Sequence, residues 1–285
     1  MTNKLAFVLA GGGARGALQV GALRALYEHG YRPDLMVGTS AGAVNAAFVA
    51  IHGFTPQGLD ELERAWISAV DADLLPSNYV RLTLRGMLRP TTLNPAQRIR
   101  EFFVSNGVTP GLCFGDIGTP DLIVVSSDLN AGRPVLHGLT AEENVLDALL
   151  VSTALPPWVM PKKTDTQYLM DGAMVSSLPV EPAMLAGATD IVALDLLDAR
   201  DPLGLANTFG ELVNKLTFTI ERRETELELE IARARGVPVT YLDLTTDDLI
   251  PIWDFGHTRE LIERGYDLTL KALGQREQRT AQLAA

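Results

Sequence analysis

Apolar residues recur along this chain in two alternating rhythms. Leu5-Ala6-Phe7-Val8-Leu9-Ala10 is an unbroken apolar run, the pattern of a strand covered on both faces. From Ala17 to Tyr27 the apolar positions take helical spacing, and the pattern ends near Gly30. Leu35-Met36-Val37 predicts a second short strand, and Ala41 to Ile51 a helix of small residues. Strand, helix, strand, helix with short turns predicts a parallel sheet.

The remaining elements follow from the same two periods. Helices are predicted over Leu59 to Val70, Gln97 to Val104, Glu142 to Ser152, Pro179 to Ala186, Phe209 to Arg235 and Thr258 to Leu273, with a polar tail after the last. Strands are predicted over Asp121 to Ser126, Tyr168 to Met170, Asp190 to Leu196 and Val237 to Leu242. Arg133 to His137 returns as a hairpin past Asn130-Ala131-Gly132. Between Asp71 and Pro95 the period is lost. Pro76, Pro90 and Pro95 punctuate apolar residues set among Arg81, Arg85 and Arg89, which reads as a lid, an interfacial element or a packed loop. No repeat or low-complexity tract divides the chain. One domain over 1–285 is expected, with its motifs between about 5 and 200 and a mainly helical portion over 201–285. The predicted fold is a three-layer α/β/α architecture with a mainly parallel central sheet.

Composition narrows the function classes. Hydrophobic residues form 47% of the chain and charged residues 21%, so disorder is excluded. A formal net charge of -11 argues against nucleic acid as a partner. The lone cysteine, Cys113, has no partner for a disulfide and is expected to be a buried apolar side chain. The first apolar run breaks into glycines and Arg15 too early for a secretory signal, and no stretch approaches the length of a membrane span. A cytoplasmic location is expected.

Three short motifs carry candidate chemistry. Gly38-Thr39-Ser40-Ala41-Gly42 is a G-x-S-x-G sequence set between a predicted strand and a predicted helix. That setting exposes a serine hydroxyl on a sharp turn at the positive end of a helix. Gly11-Gly12-Gly13-Ala14-Arg15-Gly16 closes the first strand and opens the first helix, so its backbone N–H groups suit a developing oxyanion or a phosphate. The same glycines satisfy G-x-G-x-x-G, but the acidic residue a dinucleotide site needs, Asp34, precedes the second strand instead of following it. Asp171-Gly172-Ala173 follows a short apolar strand; alone, an aspartate before glycine is more often a turn-former.

The other titratable residues have structural readings of their own. The order Ser40, Asp171, His257 mimics an α/β-hydrolase triad, although that fold builds several strands before its nucleophile. His29 and His52 sit near helix C-termini, where positive charge is favourable. Glu224 to Glu230 reads as a solvated, salt-bridged helix face. No metal-ligand spacing occurs, so neither a metal nor a cofactor is expected.

Taken together, Gly11–Gly16, Gly38–Gly42 and Asp171–Ala173 resemble, in order and spacing, the motif set of the patatin-like phospholipases. Ser152-Thr153-Ala154-Leu155-Pro156 and Leu178-Pro179-Val180 are similar to later blocks of that family, and the likeness covers roughly the first two hundred residues. The resemblance implies a Ser40–Asp171 dyad, an oxyanion hole from the Gly11, Gly12 and Gly13 amides, and calcium-independent hydrolysis of lipid or other esters; the alternatives are a nucleotide-binding protein using Gly11–Gly16 as a phosphate loop and a catalytically idle scaffold. Arg15 would support the glycine loop or meet an anionic head group, and transient membrane-surface contact would follow from the substrate.

Overall fold

The computed structural model describes residues 3–72, 74–75, 95–156, 158–197, 209–246, 248 and 250–284. The expected lid between Asp71 and Pro95 falls almost wholly outside them. The strands are β1 (Leu5–Leu9), β2 (Leu35–Thr39), β3 (Asp121–Asp128), β4 (Arg133–His137), β5 (Lys162–Lys163), β6 (Tyr168–Asp171), β7 (Asp190–Asp195) and β8 (Val239–Asp243). The helices are α1 (Ala17–Glu28), α2 (Ala41–His52), α3 (Pro56–Ala69), α4 (Pro95–Ser105), α5 (Val145–Ser152), α6 (Val180–Leu185), α7 (Phe209–Ala234) and α8 (Thr258–Ala284).

One sheet runs in the order β5-β6-β3-β2-β1-β7-β8, with β4 paired to β3. Strands β3, β2, β1, β7 and β8 are mutually parallel, and β4, β5 and β6 pair antiparallel. The mainly parallel sheet is therefore mixed at one side. Sequence order moves from β1 through β2 to β3 on one side, then returns to β7 and β8 on the other. Helix α2 packs on α3, α8 from the second half packs on α1, and α6 packs on α7. The central strands β1 and β2 are apolar on both faces, as covered strands must be: Ala6 to Leu9 and Leu35 to Val37 are at most 1% exposed.

The register around β3 positions the site. β2 pairs with β3 up to Thr39↔Val125, β6 pairs with it from Ser126↔Asp171, and β4 spans Val124 to Asp128. A strand has two edges. β4 shares β3 positions with both β2 and β6, so β4 holds one edge and β2 and β6 share the other. β2 runs parallel to β3 and β6 antiparallel, so their C-terminal ends meet end to end on that edge.

Several expectations are corrected in detail. The helix predicted over Glu142 to Ser152 starts at Val145, because the Asn144 side chain caps it by accepting from Asp147 N at 3.0 Å. The polar tail is helical, α8 continuing to Ala284. Cys113 is only half-buried, on a surface turn where its N–H donates to Asp116. The acidic stretch of α7 is not simply a solvated face. Glu228 is 7% exposed, accepts from Ser176 Oγ at 2.6 Å, and also receives the Glu181 N–H.

Candidate active site

Parallel strands end at one edge of a sheet, and there β1 delivers the glycine loop, β2 delivers Ser40 and β7 delivers Asp195. The end-to-end meeting of β2 and β6 adds Asp171. This is also where strand order reverses about β1, the place at which open α/β sheets form a crevice.

Ser40 sits between β2 and α2 with φ 53° and ψ −123°. It is the one non-glycine residue with positive φ among the described residues, a conformation that costs roughly 1–3 kcal/mol and persists only where its surroundings enforce it. They do. Ser40 N–H donates to Ser152 Oγ at 2.9 Å, and Ser152 Oγ donates to Val125 O at 2.7 Å. Thr39 Oγ1 donates to Ser176 O at 2.8 Å. Glycine is required on both sides because a Cβ on Gly38 would overlap the Gly42 carbonyl, and one on Gly42 would overlap the Leu9 and Ala10 carbonyls. The serine is thus the N-cap of α2, at its positive end.

The Ser40 hydroxyl donates to Asp171 Oδ2 at 2.7 Å. Asp171 Oδ1 accepts from Ala173 N at 2.9 Å, so Asp171-Gly172-Ala173 is indeed a turn, and its aspartate is aimed by it. Asp171 is held at the backbone by Ala154 O on its N–H at 3.1 Å and by Ser127 Oγ on its carbonyl at 2.8 Å. It is 2% exposed. Burial raises its pKa to about 6, against the lowering pull of the Ala173 and Ser40 hydrogen bonds.

The glycine loop is more differentiated than its spacing suggests. Gly11 N–H already donates to Ser177 O at 3.0 Å, which removes it from the expected set of three oxyanion donors. Gly12 O accepts from Arg15 N at 3.2 Å and Arg15 Nε at 3.3 Å. In a trans peptide the N–H of Gly13 then points to the opposite side. Gly13 lines the cleft that contains Ser40 and Asp171. Arg15 is 7% exposed and lies near Asp195, which its charge stabilises; of the two expected roles, the support of the loop is the one its bonds serve. Gly16 and its neighbours lead into α1.

The cleft encloses about 770 Å³, counting its open mouth. Beyond Ser40, Asp171 and Thr153 its walls are apolar, built by Val44, Phe48, Leu62, Trp66, Phe102 and Phe255 among others. The sequence did not single out Asn45 or Trp66, and placed Ser152 only within a block similar to the family's. A signal existed for Asn45, a lone polar residue inside the small apolar helix α2.

The four histidines lie elsewhere. His29 Nδ1 is 2.8 Å from Ala25 O, and His52 pairs with Glu61 at 2.7 Å. His137 pairs with Ser126 and Glu143, and His257, half-exposed, with Asp254 and Glu260. Asp34 is at the opposite edge of the sheet from the glycine loop, accepting from Leu5 N at 2.8 Å, so it cannot serve a ligand on that loop. No cluster of metal-binding side chains occurs among the described residues, and none of their helices is long and apolar enough to cross a membrane.

The rat patatin-like phospholipase domain-containing protein 7 is 32% identical over 215 residues, covering 74% of this chain and 15% of the relative. The Drosophila melanogaster neuropathy target esterase sws is 28% identical over 216 residues, covering 74% of this chain and 14% of the relative. The chain thus spans about one seventh of the length of these relatives. Among solved structures, VipD from Legionella pneumophila matches with a TM-score of 0.47 and 13% identity, over 96% of this chain and 67% of VipD. The sequence model of the patatin-like phospholipases matches residues 7–184. The chain belongs to the patatin-like phospholipase family.

Proposed function

We propose that the protein is a serine acyl hydrolase of lipid esters working through Ser40 and Asp171. The observation that carries this reading is the 2.7 Å hydrogen bond from Ser40 Oγ to a buried carboxylate, both residues lining an apolar cleft. Ser40 Oγ attacks the ester carbonyl as its proton passes to Asp171 Oδ2. A carboxylate is a weak base in water, but burial has already raised the pKa of Asp171 to about 6. The tetrahedral oxyanion is met by the Gly12 and Gly13 amides, with the α2 N-terminus adding positive potential. Asp171 returns the proton to the leaving alcohol. Water then attacks the acyl-enzyme, Asp171 takes its proton, and the acid departs as Ser40 is reprotonated.

The family and the apolar walls favour a fatty acyl group as the part of the substrate held in the cleft. A dinucleotide reading of Gly11–Gly16 lacks the acidic residue it needs at the end of β2, where Ser40 stands instead, and Asp34 lies at the other edge. The test is a fluorophosphonate reaction followed by peptide mass spectrometry, paired with a panel of phospholipid, lysophospholipid, glyceride and thioester substrates. Modification of Ser40, and loss of every activity in Ser40→Ala, is expected, with turnover persisting in excess chelator. An adduct on another serine, with Ser40→Ala still active, ends the reading.

A further inference from the structure

Three buried polar side chains, each on a different helix, are unused by the chemistry above. Gln19 on α1 and Asn45 on α2 are fully buried, and Trp66 on α3 is 6% exposed. Trp66 Nε1–H donates to Asn45 Oδ1 at 2.6 Å. Asn45 Nδ2 donates to Gln19 Oε1 at 2.9 Å and to Gly16 O at 3.0 Å. Gln19 Nε2 donates to Ala10 O at 3.0 Å and to Leu194 O at 3.1 Å. The direction of every bond is determined. An indole can only donate, so Asn45 must present its oxygen to Trp66 and its nitrogen onward, and Gln19 must follow suit.

The two ends of this network matter. Ala10 and Gly16 bracket the glycine loop, so the amides of Gln19 and Asn45 grip the loop on both sides. At the other end the Trp66 ring is a wall of the apolar cleft. The ring also touches the loop directly: a Cβ on Gly16 would stand 2.8 Å from its Cη2 and Cζ2 atoms. Packed residues and fully satisfied hydrogen bonds respond to displacement together.

We infer that Trp66 is a positioning residue, coupling occupancy of the acyl cleft to the glycine loop so that acyl chains reaching its ring speed the chemical step. This rests on the acyl-hydrolase reading. It differs from a simple wall, which would alter binding alone. Trp66→Phe keeps an aromatic face in the cleft and deletes the N–H that starts the network.

The experiment compares kcat and KM for acetyl and decanoyl p-nitrophenyl esters, at a temperature well below the Tm of each variant. Expected in Trp66→Phe is a fall of about tenfold in the ratio of decanoyl to acetyl kcat, the scale of one buried neutral hydrogen bond, with decanoyl KM within about twofold. A rise in KM alone, equal losses on both esters, or an unchanged ratio overturns the coupling. Gln19→Glu cuts the same network at its far end and carries the test if Trp66→Phe does not fold. A folded Gln19→Glu protein with an unchanged ratio also overturns it. Ser40→Ala runs alongside: if it hydrolyses either ester like the wild type, the acyl-hydrolase reading is what fails.

Discussion

Ser126 Oγ lies 2.7 Å from His137 Nε2, and His137 Nδ1 lies 2.5 Å from Glu143. This serine–histidine–carboxylate chain stands on the strand that also aligns Ser40 with Asp171. Ser126 is fully buried and His137 is 7% exposed, so no ester can reach them. A fluorophosphonate is expected to leave Ser126 unmodified. Ser126→Ala should keep more than about half of wild-type kcat, because the reacting atoms do not touch it. Labelling at Ser126 in folded protein would show that a second nucleophile exists.

Asp171→Asn separates chemistry from folding. The amide can still accept from Ala173 N, but it cannot take the serine proton, so kcat should fall at least about a hundredfold. In the wild type, kcat/KM should rise with pH through about 6 and level off above it, because the base must be ionised. The stability sign is opposite. Burial raises this pKa from 3.8 to about 6 in the folded protein, so the neutral carboxyl's contribution is present below pH 3.8 and lost as pH rises through about 6. Above that, Asp171→Asn is expected to match or exceed wild-type stability, by up to about 3 kcal/mol. A variant clearly less stable at pH 8 would contradict this account of the site.

His257→Ala tests the alternative triad. His257 is half-exposed and its partners are Asp254 and Glu260. The variant should keep more than about half of wild-type kcat/KM, the result of losing a surface side chain. If it is as inactive as Ser40→Ala with near-normal Tm, the dyad must give way to a histidine mechanism.

Glu228→Gln probes the docking of α7 under the catalytic edge. Burial pushes the Glu228 pKa up to about 7, with Glu181 adding repulsion, while the Ser176 and Glu181 hydrogen bonds oppose the shift. Its neighbour Glu224 is pushed to about 7 by burial and by Glu221 and Glu228. A raised carboxylate pKa means stability present below pH 4.5 and lost as pH rises through about 7. The Tm of the variant relative to wild type should therefore grow between pH 5 and pH 8. A constant difference across that range would show that Glu228 does not titrate in the folded protein.

The core of this site was readable because it is local. Ser40 lies between a strand and a helix, each with a strong period of its own, and the glycines around it mark close backbone approaches. Asp171 carried almost no signal alone, since its role depends on a three-residue antiparallel pairing that brings β6 onto the β2 edge of β3. Hydrophobic patterning specifies which face of a strand is buried, not which distant strand end it meets. The loss of the Gly11 amide to Ser177 was hidden for the same reason. Glu228 was misread because charge patterning along a helix is blind to the segment packed on it. β5, two lysines long, has no period to detect.

The arrangement on β3 also determines which changes the dyad can survive. Ser40 and Asp171 are 131 residues apart in the chain, yet their spacing is measured off two consecutive residues of one strand, Val125 and Ser126. Lengthening or trimming the surface connections between them leaves that ruler untouched, so the surroundings of the cleft can be remodelled freely while the chemistry stays in place. Errors on the ruler itself admit no intermediate: sliding β6 by a single position turns the carboxylate to the other side of the sheet. The Ser40–Asp171 contact is therefore insulated from gradual drift and exposed only to a one-residue slip.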